Sequence, residues 1–164
     1  MLDAIDIHIL TILQDSGRTS NAEIARQLGM APSAILERIR KLEARGTIAG
    51  YEARVDPQAL GLDLLAFVFV RASEAPGEPV TGQALAEIPE VMEVHHVAGE
   101  DCYLVKVRAA GTEELGKLLR YRFGSIRSVA STRTTIVLGT VKESGRLPLE
   151  VGDAPVEEIR ATAS

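Results

Sequence analysis

Ser20-Asn21-Ala22-Glu23-Ile24-Ala25-Arg26-Gln27-Leu28-Gly29-Met30-Ala31-Pro32-Ser33-Ala34-Ile35-Leu36-Glu37-Arg38-Ile39-Arg40-Lys41-Leu42 is the stretch that decides the N-terminal fold. Ser20 and Glu23 have the spacing of a capping box, in which hydroxyl and carboxylate each satisfy a free backbone N–H at a helix start. Ile24, Ala25 and Leu28 form the inward stripe of the helix that follows, and Gly29 supplies its left-handed end. Pro32 suits the first turn of the next helix, where its missing N–H costs nothing. That helix runs from Pro32 to Arg45, buries Ile35, Ile39 and Leu42, and is closed by Gly46.

Upstream, Leu2, Ile5, Ile9, Ile12 and Leu13 recur at helical steps, with Asp3 as N-cap and Gly17 as stop, which gives a helix over about Asp3 to Ser16. Two helices joined by the short turn Gly29-Met30-Ala31, the second carrying Arg38, Arg40, Lys41 and Arg45, match a helix-turn-helix whose second helix enters the DNA major groove. Because Ile35, Ile39 and Leu42 fix the inward face, Ser33, Ala34, Glu37 and Arg38 are the expected base readers. Arg18, Arg26, Lys41 and Arg45 are expected on phosphates. The net charge of −5 excludes indiscriminate coating of DNA and requires such a local basic patch.

From Thr47 the pattern turns to period two, a linking strand, and Asp56-Pro57 with Gly61 marks a hinge. The reading places a DNA-binding domain with its linking strand at residues 1–56, a second domain at 57–149 and a mobile tail at 150–164. In the second domain the expected order is a strand Asp63 to Ser73, a helix Thr81 to Ile88, strands Val91 to Val97 and Cys102 to Val107, a helix Thr112 to Phe123, and a strand Val129 to Val141. This βαββαβ order is the ferredoxin-like arrangement, an antiparallel sheet with both helices on one face. Leu64-Leu65-Ala66-Phe67-Val68-Phe69-Val70 is apolar at both parities, so the helix-free face needs a cover, for which a second subunit is the natural candidate.

Leu2-Asp3, Asp6, Ile9-Leu10, Gly17-Arg18, Ile24-Ala25, Leu28-Gly29, Pro32, Leu36-Glu37-Arg38-Ile39, Leu42-Glu43, Gly46 and Gly50-Tyr51 together resemble the Lrp/AsnC family of leucine-responsive regulators. Val97-Ala98-Gly99-Glu100-Asp101-Cys102-Tyr103-Leu104-Val105 and the threonine-rich stretch Thr132 to Leu138 are similar to the second-domain signatures of that family. The resemblance implies an α+β chain, with a winged-type helix-turn-helix joined to a ferredoxin-like sensing domain. It also implies a transcriptional regulator of double-stranded DNA, built from dimers into an octamer or a related higher assembly, while the lone Cys102 and the acidic start Met1-Leu2-Asp3-Ala4-Ile5-Asp6 lead to the expectation of a reducing, cytoplasmic home. An amino acid or similar small metabolite would bind between sensing domains, at Gly99, Glu100, Asp101, Cys102 and Tyr103 with Thr132, Thr134 and Ile136. Two departures stand out: Ala31 where the family has a capping serine, and Cys102 where it has an aspartate suited to a ligand ammonium.

Competing readings are weaker. A single cysteine, Cys102, excludes an internal disulfide, and a thiolate–histidine enzyme built on Cys102 with His95 or His96 lacks an oxyanion-type glycine loop. His8, His95 and His96 lack the spaced partners of a zinc site, so no metal and no resident cofactor are expected. The longest apolar run is far short of the roughly 18 residues needed to span a bilayer, so no membrane association is expected. An architectural DNA-bridging oligomer without an effector switch is the alternative function.

Overall fold

A computed structural model describes residues 2–74 and 80–149, so the tail expected from residue 150 lies outside the described residues. Contacts divide the chain into two units, the first holding residues up to Arg54 together with residues from Ser144 onward, the second spanning Val55–Glu143.

The first unit contains α1 (Ala4–Asp15), α2 (Asn21–Leu28) and α3 (Pro32–Ala44). Asp3 caps α1, its carboxylate accepting from the Asp6 N–H at 2.8 Å while the Asp6 carboxylate accepts from the Asp3 N–H at 3.4 Å. Ser20 caps α2 through its hydroxyl, 3.2 Å from the Glu23 N–H. The expected other half of that capping box is not made. The Glu23 carboxylate instead takes Arg26 at 2.6 and 3.0 Å and Gln27 at 2.9 Å, because a bidentate charge-assisted bond outcompetes a single neutral N–H. These bonds pull the Glu23 pKa down to about 2.

Gly29 and Gly46 end α2 and α3 with φ of 68° and 70°, and the amides after them reach five residues back, Met30 to Ala25 and Thr47 to Leu42, both at 2.9 Å. This satisfies carbonyls that a helix end leaves open. Ala31 makes no side-chain cap on α3, which forgoes about 1 kcal/mol relative to serine. The core is Ile9, Ile24, Ala25, Leu28, Ile35, Ile39 and Leu42. Residues 144–149 return to α1, where Gln14 bonds the Leu147 N–H at 2.7 Å and its carbonyl at 3.2 Å. Residues 47–56, expected to include a linking strand, contain none: no described strand pairs with them, and the Thr47 and Ile48 N–H groups go to the Leu42 carbonyl instead.

The second unit has β1 (Leu64–Ala72), α4 (Val80–Ala86), β2 (Val91–His96), β3 (Tyr103–Ala109), α5 (Thr112–Lys117) and β4 (Val129–Ile136). Its sheet has the order β2-β3-β1-β4, and every neighbouring pair is antiparallel. The expected long helix 112–123 is instead a short α5 followed by a wide π turn over Leu118–Arg122 and a 3-10 turn over Phe123–Ser125. This register brings both Leu118 and Phe123 into the core. The last strand stops at Ile136, five residues before the expected Val141; β1 begins only two residues beyond its Ala66 partner, and one further bond runs from the Val137 N–H to the Leu65 carbonyl at 2.9 Å.

Ala66, Val68 and Val70 of β1 join Tyr103, Val105 and Val107 of β3 beneath Leu85, Leu115 and Phe123 from the helical side. Leu65, Phe67 and Phe69 alternate onto the opposite face, in rows with Leu104, Lys106, Arg108, Arg133 and Thr135. There Lys106 is held by Glu93 at 3.0 Å and by Glu143, whose other carboxylate oxygen lies 3.4 Å from Arg108. No described helix is long and apolar enough to cross a membrane.

Candidate nucleic-acid interface and sensing turn

At 3.6 residues per turn, Ser33, Glu37, Arg40 and Ala44 fall within roughly 60° of one another on α3, opposite the buried Ile35, Ile39 and Leu42. All four are exposed. Ala34 is half-buried at the flank. Lys41 is exposed and paired with Glu37 at 2.6 Å. Arg26 is exposed and held by Glu23.

Arg38 stands differently from the other expected readers. Its guanidinium turns back to α1 and donates to Asp3 at 2.7 Å and Asp6 at 2.8 Å. Burial opposes its charge, but the two carboxylates outweigh that and raise its pKa. Burial likewise favours the neutral form of Asp3, yet the Asp6 N–H and Arg38 win and lower its pKa. Arg18, Arg40 and Arg45 are exposed, and their side chains have no ion-pair partner among the described residues. Arg40 was not among the expected readers; its helical spacing, seven residues after Ser33 and three after Glu37, was the available signal.

In the second unit, the Val97 N–H donates to the Cys102 carbonyl at 2.9 Å, closing a turn over Ala98, Gly99, Glu100 and Asp101 between β2 and β3. The Cys102 N–H continues the pairing of β3 with β1 through the Val70 carbonyl, and its half-buried thiol points at the Ala72 carbonyl, 3.7 Å away. Tyr103 is buried, and its hydroxyl donates to Glu74 at 2.6 Å. The other Glu74 oxygen accepts from the Thr81 N–H at 2.9 Å and hydroxyl at 2.5 Å.

Desolvation alone would raise the Glu74 pKa, but these hydrogen bonds lower it below the ordinary 4.5, while burial and the nearby carboxylate push Tyr103 up. A carboxylate with a depressed folded pKa contributes stability that is full above its unfolded pKa and lost as pH falls through the folded one. Thermal melts should therefore show Tm falling below about pH 4.5, and Glu74→Gln should flatten that acid limb. An unchanged limb would exclude this network as its source.

The expected ligand residues do not form one cluster within the chain. Tyr103, Val70 and Thr132 lie in one row across three strands, so Tyr103 and Thr132 are two strand spacings, roughly 10 Å, apart. Thr134 and Ile136 follow along β4, the latter about 13 Å beyond Thr132. Asp101 reaches the opposite face, where its carboxylate pairs with Arg133 at 2.8 Å. That guanidinium stacks 4.0 Å from the Phe69 ring centroid. Gly99 and Glu100 are exposed at the turn. Glu74 and Arg133, which brace this region, left no local trace in the sequence.

A capped three-helix unit with an exposed, cationic third helix, joined to an α+β domain with a braced turn, defines a helix-turn-helix DNA-binding regulator with a second, α+β domain. The AsnC-type helix-turn-helix domain matches residues 2–43, and the Lrp/AsnC ligand binding domain matches residues 65–147. The chain belongs to the Lrp/AsnC family of transcriptional regulators, a family of regulators and not of enzymes.

The chain is 42% identical over 149 residues to the HTH-type transcriptional regulator FL11 of Pyrococcus horikoshii, covering 91% of this chain and 97% of that protein. It is 36% identical over 151 residues to the leucine-responsive regulatory protein of Escherichia coli, covering 91% and 92%. Among solved structures, a Neisseria meningitidis transcriptional regulator in complex with L-methionine superposes with a TM-score of 0.86 at 28% identity, covering 92% and 98%. The feast or famine regulatory protein of Mycobacterium tuberculosis complexed with L-methionine gives 0.83 at 35%, covering 91% and 99%.

Proposed function

We propose that this chain is a sequence-specific regulator that places paired α3 helices in successive major grooves as a two-fold dimer. Residues 1–56 act as the DNA-binding domain and 57–149 as the sensing and assembly domain. The observation that carries the reading is the solvent face of α3, where Ser33, Glu37 and Arg40 stand opposite a fully packed Ile35-Ile39-Leu42 stripe. Ala34 and Lys41 flank that face, and Arg18, Arg26 and Arg45 supply phosphate contacts around it.

The sheet face of Leu65, Phe67 and Phe69 is the pairing surface for a second copy, and dimers assemble further toward an octamer. The effector is an amino acid or similar metabolite, taken between sensing domains by the Gly99 to Tyr103 turn and by Thr132, Thr134 and Ile136. That these expected residues are spread over more than 10 Å within one chain accords with a site shared between chains. Two relatives solved with L-methionine support the ligand class. Cys102 gives the turn a thiol where an aspartate would meet an ammonium, so effector choice is the property expected to depart from other members.

The test is to recover fragments of genomic DNA bound by the full chain at near-physiological salt and to sequence them, with and without each amino acid. Dyad-symmetric sites with half-sites spaced by about one helical turn or its multiples are expected. An effector should shift affinity by about 5- to 150-fold. Motif-free recovery would overturn the reading in favour of an architectural binder.

A further inference from the structure

Specificity within α3 rests on which side chains are free to leave the protein surface. Arg38, the arginine nearest the start of α3, is committed to Asp3 and Asp6 and has 28% of its side chain exposed. Arg40 lies in line with Ser33 and Glu37 on the outward face and has no ion-pair partner among the described residues. At 1.5 Å rise per residue, Ser33 to Arg40 spans about 10 Å, the rise of three base pairs. A free guanidinium in the major groove pairs best with the O6 and N7 acceptors of guanine, which it engages bidentately. Glu37 occupies the middle of that span with an acceptor-only carboxylate, tied to Lys41, which accepts from the cytosine amino group and repels phosphate.

From this arrangement we infer that Arg40 is the specificity-determining residue of α3, reading a guanine at one fixed position in each half-site. Arg38 is a positioning residue that holds α3 against α1. This inference rests on the reading of the chain as a sequence-specific regulator.

The test is selection from a randomised duplex pool with the full-length wild type, Arg40→Ala and Arg38→Ala, each assayed below its own melting temperature, with thermal melts alongside. The wild type should enrich a motif with one invariant guanine per half-site. Arg40→Ala should lose discrimination at that position alone, by roughly five- to 150-fold, with Tm unchanged. Arg38→Ala should melt earlier and bind all sequences more weakly while keeping the wild-type motif. An Arg40→Ala motif identical to wild type would overturn the assignment, as would an Arg38→Ala motif relaxed at one position with unchanged Tm. A wild-type pool without any motif would bring down the regulator reading itself, an outcome distinct from both.

Discussion

Replacing Arg38 by alanine is expected to cost about 3 kcal/mol of stability, because it strands a buried carboxylate and not because it loses contacts of its own. Asp6 has 11% of its side chain exposed, and Arg38 is its counter-charge at 2.8 Å. Removing one partner of such a pair leaves the other desolvated and uncompensated. In a unit of this size each kcal/mol moves Tm by about 4–8 °C, so calorimetry of the full chain should show the helical transition falling by more than roughly 10 °C. Asp6→Asn in the Arg38→Ala background should restore part of the loss by removing the stranded charge. A Tm within about 2 °C of wild type would mean that the pair is ornamental.

Gly82→Val should destabilise the second unit by a similar amount, about 3 kcal/mol. A Cβ at Gly82 would sit 2.7 Å from Cε1 and 3.3 Å from Cζ of Tyr103, closer than packed atoms stand. The ring cannot swing aside freely, since it is 2% exposed and its hydroxyl is held by Glu74. Overpacking of this kind costs about 1–3 kcal/mol, and loss of the charge-assisted Tyr103–Glu74 bond adds about 1.5–3 kcal/mol. The gain in helix propensity from replacing glycine is at most about 1 kcal/mol. Urea melts should report the loss, and Tyr103→Leu in the same chain should recover part of it by removing the obstructed ring. Equal stability of Gly82→Val and wild type would show that α4 can shift away from the sheet.

Local physics made the helices legible. The Ser20 cap, the Gly29 and Gly46 stops and the Ile35, Ile39 and Leu42 spacing each act within a turn or two, and the structure ends α2 and α3 within two residues of those stops. The strand order was legible because alternation and turn residues are also local. What escaped depends on partners far along the chain. Arg38 finds Asp6 across 32 positions and Tyr103 finds Glu74 across 29, and no periodicity announces either. Glu23 was legible as a cap by spacing, but competition from Arg26 and Gln27 decided otherwise. The end of α5 was missed because Leu115, Leu119 and Phe123 recur at four-residue steps that a regular helix also satisfies, and only packing against the sheet selects the wider turn that buries Leu118 together with Phe123.

β1 is one of the two inner strands of the sheet and is apolar on both sides. Sliding it by one residue would exchange Leu65, Phe67 and Phe69 for Ala66, Val68 and Val70, one greasy set for another, so burial alone hardly penalises the error. What distinguishes the correct alignment is polar and sits at one end: Glu74 finds Tyr103 and Thr81, and Arg133 finds both Phe69 and Asp101, only when the strands are in step. These few bonds act as a proofreading mark on strand pairing. Their loss would therefore show twice, in the stability of the finished protein and in the fraction of nascent chains trapped out of alignment before reaching it.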